Sequence, residues 1–317
     1  MTITLRAPEL EDLGSAASLL NAHAQALFGG DDMDESELRS FWTSPGLDYR
    51  RDIRLAYTAE GELAGYVDVS DVGGRHLELW LDARVHPAYP AEVGAELLGW
   101  AEERARELAA AAPGGERPVA RGGTWSADAA GIRLLEESGY RLIRHSFRME
   151  IALDDQRPEP PHWPAGIRVR PLQPGVDDRA VYDAQNDAFA DTWDYHADPY
   201  EEWAHYLLGA EDLDATLNVL ATDGEEIAAI ALCRPHEPGD PELGWVRILG
   251  VRPPWRRRGL ALALLRHVFG EFHDRGLRRV ALGVDAENPT GATRLYERAG
   301  MRVVRRFDMY EKDLWSA

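Results

Sequence analysis

The sequence predicts an α/β protein built as two tandem copies of one strand-and-helix unit, and three observations carry this. Segments with apolar residues at alternate positions interleave with segments whose apolar residues recur every three or four positions, the periods of strand and helix. Arg133-Leu-Leu-Glu-Glu-Ser-Gly-Tyr140 aligns without a gap on Arg294-Leu-Tyr-Glu-Arg-Ala-Gly-Met301, and self-similarity of this kind marks a duplication. Between the copies, residues 154–166 contain four prolines, a composition that cannot join a sheet interior and favours an extended connection. The expected organisation is an amino-terminal domain over 1–153, a linker over 154–166 and a carboxy-terminal domain over 167–317. A chain of 317 residues exceeds one ordinary core and suits two.

Taken in order, residues 2–6 read as an edge strand and 9–28 as a helix with Leu13, Ala17, Leu20 and Ala24 on one face. Strands are expected at 54–58 and 62–69, joined by the hairpin signal Ala59-Glu60-Gly61. A further strand follows at 76–85. Over 92–111, Val93, Leu97, Leu98, Ala101, Ala105 and Leu108 keep helical spacing until Pro113-Gly-Gly stops them. A strand near 119–124, a helix near 130–138 and strands through Leu153 complete the copy. The second copy restarts with Ile167-Arg-Val-Arg-Pro, a helix over 179–190, and strands at 217–222 and 226–234 around Asp223-Gly224.

Composition narrows the function. With 35 basic against 55 acidic residues the formal charge is −20, which repels nucleic-acid backbones and anionic lipid. No apolar run is long enough to span a membrane, and the opening Met1-Thr-Ile-Thr-Leu-Arg lacks the pattern of a signal peptide, so a cytoplasmic protein is expected. A single cysteine, Cys233, excludes an intrachain disulfide and a thiolate-rich metal site, and no metal is expected. Its apolar setting reads as a core strand.

Against that acidic background the stretch 248–265 stands out. An apolar strand ends at Val251, Pro253 and Pro254 forbid its continuation, and a helix is expected from near Arg258, with Leu260, Leu264, Leu265, Val268, Phe269 and Phe272 on its apolar face. Arg256, Arg257, Arg258 and Gly259 fill the turn between them. The first turn of a helix has unpaired N–H groups and partial positive charge, so this strand–turn–helix is built to receive a phosphate. It has neither the glycine spacing of dinucleotide folds nor the Gly-Lys-Ser/Thr ending of a P-loop.

Val251-Arg-Pro-Pro-Trp-Arg-Arg-Arg-Gly-Leu-Ala261 resembles the acyl-CoA motif of the GCN5-related N-acetyltransferases (GNAT), Arg/Gln-x-x-Gly-x-Gly/Ala, at Arg256, Gly259 and Ala261. A second family signature follows, from Asp285-Ala-Glu-Asn-Pro-Thr-Gly-Ala to Met301. The resemblance implies two tandem GNAT-like domains, each a central mixed, mostly antiparallel sheet flanked by helices. It implies acetyl-CoA as cosubstrate, held by Leu249, Gly250, Val251, Arg256, Arg257, Arg258, Gly259, Leu260, Ala261, Asn288 and Tyr296, and a small-molecule amine as acceptor, in a monomer or homodimer. Tyr296 stands where the family often carries its general acid. Asn288 either caps the next helix or meets the pantetheine. For the general base, Glu242, Asp285 and His196 stay open.

The segment after the first helix of a GNAT copy commonly lines the acceptor pocket. Here Asp191, Trp193, Asp194, Tyr195 and His196 mix acids with aromatic faces, a chemistry suited to a cationic amine. In the first copy Val85-His-Pro-Ala-Tyr-Pro-Ala-Glu replaces the arginine turn, and Ala127 and Leu135 stand where the second has Asn288 and Tyr296. That copy is expected to have lost catalysis. Transfer of acetyl to a small, cationic amine by direct attack is the leading expectation. A tandem pair with a decayed first copy also resembles the mycothiol synthases, which acetylate a cysteinyl amine, and a non-catalytic acyl-CoA sensor is the third reading.

Overall fold

The two halves of the chain fold into the same succession of elements. A computed structural model describes residues 2–153, 157–209, 213–288 and 291–315. The first half runs β1 (Ile3–Arg6), α1 (Leu13–Phe28), α2 (Glu35–Trp42), α3 (Tyr49–Asp52), β2 (Ile53–Thr58), β3 (Leu63–Asp71), β4 (Glu78–Val85), α4 (Glu92–Ala109), β5 (Val119–Trp125), α5 (Ala129–Glu137) and β6 (Arg141–Ala152). The second runs β7 (Ile167–Pro171), α6 (Asp178–Phe189), α7 (Tyr200–Leu208), β8 (Val219–Asp223), β9 (Glu226–Arg234), β10 (Leu243–Val251), α8 (Leu260–Asp274), β11 (Arg279–Asp285), α9 (Ala292–Arg298) and β12 (Arg302–Asp313). Among the described residues the one-turn α3 has no helical counterpart in the second half.

Most boundaries fall within two residues of those expected, and the departures have local causes. Sequence periodicity misses α2, α3 and α7. The Asp34 carboxylate starts α2 by accepting the Glu37 N–H at 2.7 Å. Helix α8 starts at Leu260 rather than near Arg258 because Arg257 and Gly259 take left-handed φ values of 62° and 86°.

Two compact units result, Met1–His145 with Phe307–Ala317, and Ser146–Arg306. This differs from the expected division into 1–153 and 167–317, and strand pairing is the reason. In the first unit the sheet runs β1-β2-β3-β4-β5-β12, with the end of β12 antiparallel to β5 from Phe307 opposite Trp125 to Asp313 opposite Val119. In the second it runs β6-β11-β10-β9-β8-β7, with the end of β6 antiparallel to β11 from Ser146 opposite Asp285 to Ala152 opposite Arg279. Each unit thus takes one strand from the other half of the sequence. The expected linker, described from residue 157, lies inside the second unit, where Trp163 meets His267 on α8 edge-on at 5.9 Å.

Each sheet is mixed and mostly antiparallel, β4–β5 and β10–β11 being the parallel pairs. Helices cover both faces. In the second unit Leu260, Leu264, Leu265, Val268, Phe269 and Phe272 of α8 pack with Ala229, Ala231, Val246, Val280 and Leu282. On the opposite face Val181, Ala184, Trp203 and Leu207 of α6 and α7 pack with Leu220, Ile230 and Leu232. Strand β9 is buried on both faces, which explains its unbroken apolar run. Cys233 lies in it, and burial pushes its thiol well up, away from nucleophilic use.

The α8 layer approaches β10 most closely at Gly244, where a Cβ would sit 2.5 Å from Phe272 Cδ1. Gly244→Ala should therefore destabilise the second unit by about 1–3 kcal/mol in urea denaturation. Gly283→Ala, with open space around its Cβ position, should leave that midpoint within experimental error.

Candidate active site

The site follows from one strand that loses a neighbour. Strand β10 pairs with β11 from Leu243 opposite Arg279 to Val246 opposite Leu282, and no further among the described residues. With β9 it continues to Val251 opposite Ala229, after a bulge between Val246 and Ile248. The bulge inserts Arg247, whose Nη1 donates to the Tyr206 carbonyl at 2.8 Å, and a bulge bends its strand and sharpens the local twist. Beyond it β10 keeps β9 and leaves β11, so the sheet opens as a wedge.

Alternation determines which peptide groups face the wedge. Arg252 N–H donates to Ala228 O at 3.0 Å, and bonded pairs recur every second residue in an antiparallel ladder. Ile248 and Gly250 therefore point their peptide groups at β9, while Leu249 and Val251 point theirs into the opening. Gly250 serves packing instead, since a Cβ there would lie 3.0 Å from Ala188 Cβ and 3.1 Å from Phe189 Cε2. An unpaired strand edge of this kind offers N–H and C=O groups to an extended ligand.

At the end of the wedge the chain turns through Pro253–Trp255 into α8. Gly259 is the N-cap without a side-chain cap, so the first N–H groups of α8 face outward unpaired. Arg257 and Arg258 are exposed beside them and form no ion pair among the described residues. The other two arginines are engaged. Arg252 grips the Asp187 carboxylate at 2.7 and 2.9 Å. Arg256 donates to Val251 O at 3.1 Å, to Ala188 O at 3.0 Å and to Asp191 Oδ1 at 2.9 Å. Asp191 and Arg256, expected at a substrate amine and at a phosphate, here meet each other. That guanidinium holds the Asp191 carboxyl below the usual carboxylate range.

Of the rest of the expected acceptor segment, Tyr195 folds back on α6. Tyr195 donates to Asn186 Oδ1 at 2.6 Å and its ring lies 5.9 Å from Phe189. Trp193 is 40% exposed, and His196 Nε2 stands 3.5 Å from Asp194 Oδ1, whose φ is 52°.

Tyr296 is 7% exposed on α9 and belongs to the cluster that holds Leu260 and Leu264, against which Leu249 and Val251 also pack. Burial pushes its phenol up to about 12. Gly291, with φ 73°, is the N-cap of α9, so Asn288 lies three residues ahead of the cap rather than at it. Asp285 ends β11 three residues past Leu282, the last residue of that strand paired with β10. Glu242 is exposed at the opposite end of β10, about 20 Å from Leu249 at ~3.3 Å per residue. That distance removes it from the candidates for base.

Sequence reasoning missed a polar row on the α7 side of the same sheet. Arg148, 8% exposed on β6, lies opposite Gly283 and over the Trp245 ring at 5.1 Å. It donates to Glu150 Oε1 and Glu237 Oε1, both at 3.1 Å. The signal was present in the alternation Phe147, Arg148, Met149, Glu150, Ile151, but β6 was read with the wrong half of the chain.

The comparisons agree with this geometry. Residues 179–301 match the model of the acetyltransferase (GNAT) family. The chain is similar to a mycothiol acetyltransferase of Salinispora tropica, 32% identical over 305 residues, covering 94% of this chain and 92% of that protein. Among solved structures it resembles a GCN5-related N-acetyltransferase from Sphaerobacter thermophilus, with a TM-score of 0.80, 35% identity and 98% and 96% of the two chains covered. A tandem GNAT protein from the clavulanic acid biosynthesis pathway shares the fold at a TM-score of 0.73 and 14% identity, covering both chains in full. A wedge that exposes a strand edge and ends on a helix N-terminus, beside two arginines without an ion pair among the described residues, is thus found in a chain that belongs to the acetyltransferase (GNAT) family, an N-acetyltransferase that draws on acetyl-CoA.

Proposed function

We propose that the second unit transfers the acetyl group of acetyl-CoA to the primary amine of a small acceptor of the mycothiol-precursor type, a cysteinyl amine. The observation that carries the transfer is the wedge: the peptide group of Leu249 and the N–H of Val251 for the pantetheine arm, then the α8 N-terminus with Arg257 and Arg258 for the pyrophosphate. The similarity to mycothiol acetyltransferases along most of the chain supports that acceptor over other small amines.

The chemistry assigns one task to each group. A neutral amine attacks the thioester carbon, a C–N bond forms, the C–S bond breaks, and the sulfur leaves as a thiolate. An N–H of the wedge edge polarises the carbonyl oxygen. Asp285, at the end of β11 beyond its last pairing with β10, takes the proton released by the amine, directly or through water. Tyr296 serves the departing sulfur. Passing its proton from a pKa of about 12 to a thiolate near 8.5 is uphill by roughly 5 kcal/mol. Hydrogen-bond donation to the thiolate, with protonation completed by solvent, is the role that fits.

Thiol release from acetyl-CoA against a panel of cysteinyl conjugates, aminoglycosides and peptides tests the acceptor, and turnover is expected with the cysteinyl amine. Silence there with turnover on another amine would keep the enzyme and replace the acceptor. Arg257→Ala and Arg258→Ala should each raise the acetyl-CoA KM by about tenfold, from ~1–1.5 kcal/mol of lost charge-assisted binding, while the acceptor KM holds. Tyr296→Phe should lower kcat by about 10- to 100-fold. A phenol raised to about 12 stays protonated below that pH, so kcat should rise as the amine deprotonates and then stay level to pH 10. A fall between pH 8 and 10 that vanishes in Tyr296→Phe would overturn that role.

A further inference from the structure

Asp187 and Asp191 lie four residues apart, one at the last turn of α6 and one just past its end, and Arg252 and Arg256 lie four apart in the turn they meet. The two pairs act on one junction. Between them Gly250 lets Ala188 and Phe189 rest directly on β10, and Arg256 satisfies the Ala188 carbonyl that the end of α6 leaves unpaired. Val251 O accepts from Arg256 Nε. The turn is anchored on its other side by Trp255, whose Nε1 donates to Asp223 Oδ2 at 2.9 Å and whose ring lies under Arg252 at 5.4 Å. From this junction the chain continues directly into residues 192–199, the segment before α7.

We propose that Asp187 and Asp191 are positioning residues: through Arg252 and Arg256 they lock the end of α6 to the cofactor turn, so that the phosphate side and the acceptor side of the site form as one piece. The proposal rests on the acetyltransferase reading. It divides the arginine cluster by task, with Arg257 and Arg258 facing the ligand and Arg252 and Arg256 holding the junction. Asp191 contributes to acceptor binding through the loop it holds rather than by touching the amine.

The test uses the full chain and variants Asp191→Asn, Asp191→Glu, Arg256→Ala and the Asp191→Asn/Arg256→Ala double. Two readouts need no acceptor: the Kd for CoA by calorimetry, and amide hydrogen exchange of residues 189–199. Asp191→Asn and Arg256→Ala should each speed exchange of that segment by about tenfold and weaken CoA by about three- to tenfold. Each should raise the KM of both substrates. The double should be no worse than the more severe single, as partners of one interaction are not additive. Asp191→Glu should recover part of each loss, which a merely misfolded variant would not. If Asp191→Asn raises only the acceptor KM, with exchange and CoA affinity unchanged, Asp191 is a substrate ligand and the proposal fails while the acetyltransferase reading stands. Additive losses in the double would also defeat it. Absence of CoA binding by the unmodified chain would defeat both readings.

Discussion

The site depends on a backbone constraint: past its bulge, β10 cannot keep both neighbours. A strand in a sheet interior has every peptide group paired, and loss of one neighbour leaves a row of donors and acceptors that water or a ligand must satisfy. The opening is lined on one side by the apolar α8 face and ends where α8 begins. An extended arm with an anionic end therefore meets peptide groups first and unpaired helix N–H groups last. The direction of the ligand is set by the direction of the strand.

The first unit separates this constraint from the chemistry added to it. There β4 pairs with β5 only from Glu78 opposite Val119 to Leu81 opposite Gly122, yet it follows β3 as far as Val85 opposite Gly65. The wedge is thus common to both copies. Its exit differs, because residues 86–91 carry no arginine and α4 begins after Ala91 in an ordinary helical conformation, with Glu92 in its first turn. An acid there opposes an anion that the helix end would otherwise attract. Both copies hold the opened sheet, and the short turn after it carries arginines and a glycine N-cap in the second copy and neither in the first.

Charge works locally in this protein. A formal charge of −20 repels an anionic cosubstrate at long range, but screening confines that repulsion to about 8 Å at physiological ionic strength. Within that distance Arg257, Arg258 and the α8 N-terminus dominate. Arg252 and Arg256 carry the same formal charge but are neutralised by Asp187 and Asp191, so the four arginines counted in the sequence overstate the charge offered to a ligand twofold.

Much of the molecule was legible in the residues. Periodicity and turn chemistry placed the long helices and most strands, because burying one face demands a fixed spacing of apolar side chains. The arginine turn and the Asp285–Met301 signature identified the family, and the repeated Arg-Leu-x-Glu pattern showed the duplication. What the sequence by itself determined is local: element type, the order of elements, and a turn able to hold an anion. Only the tertiary structure decided which strand joins which unit, for β6 and β12 choose edges by long-range hydrogen bonding that no local pattern encodes. It also decided that Asp191 meets Arg256 and that Glu242 lies at the wrong end of its strand. Partners brought together across 65 residues are selected by packing, and packing is a property of the whole unit.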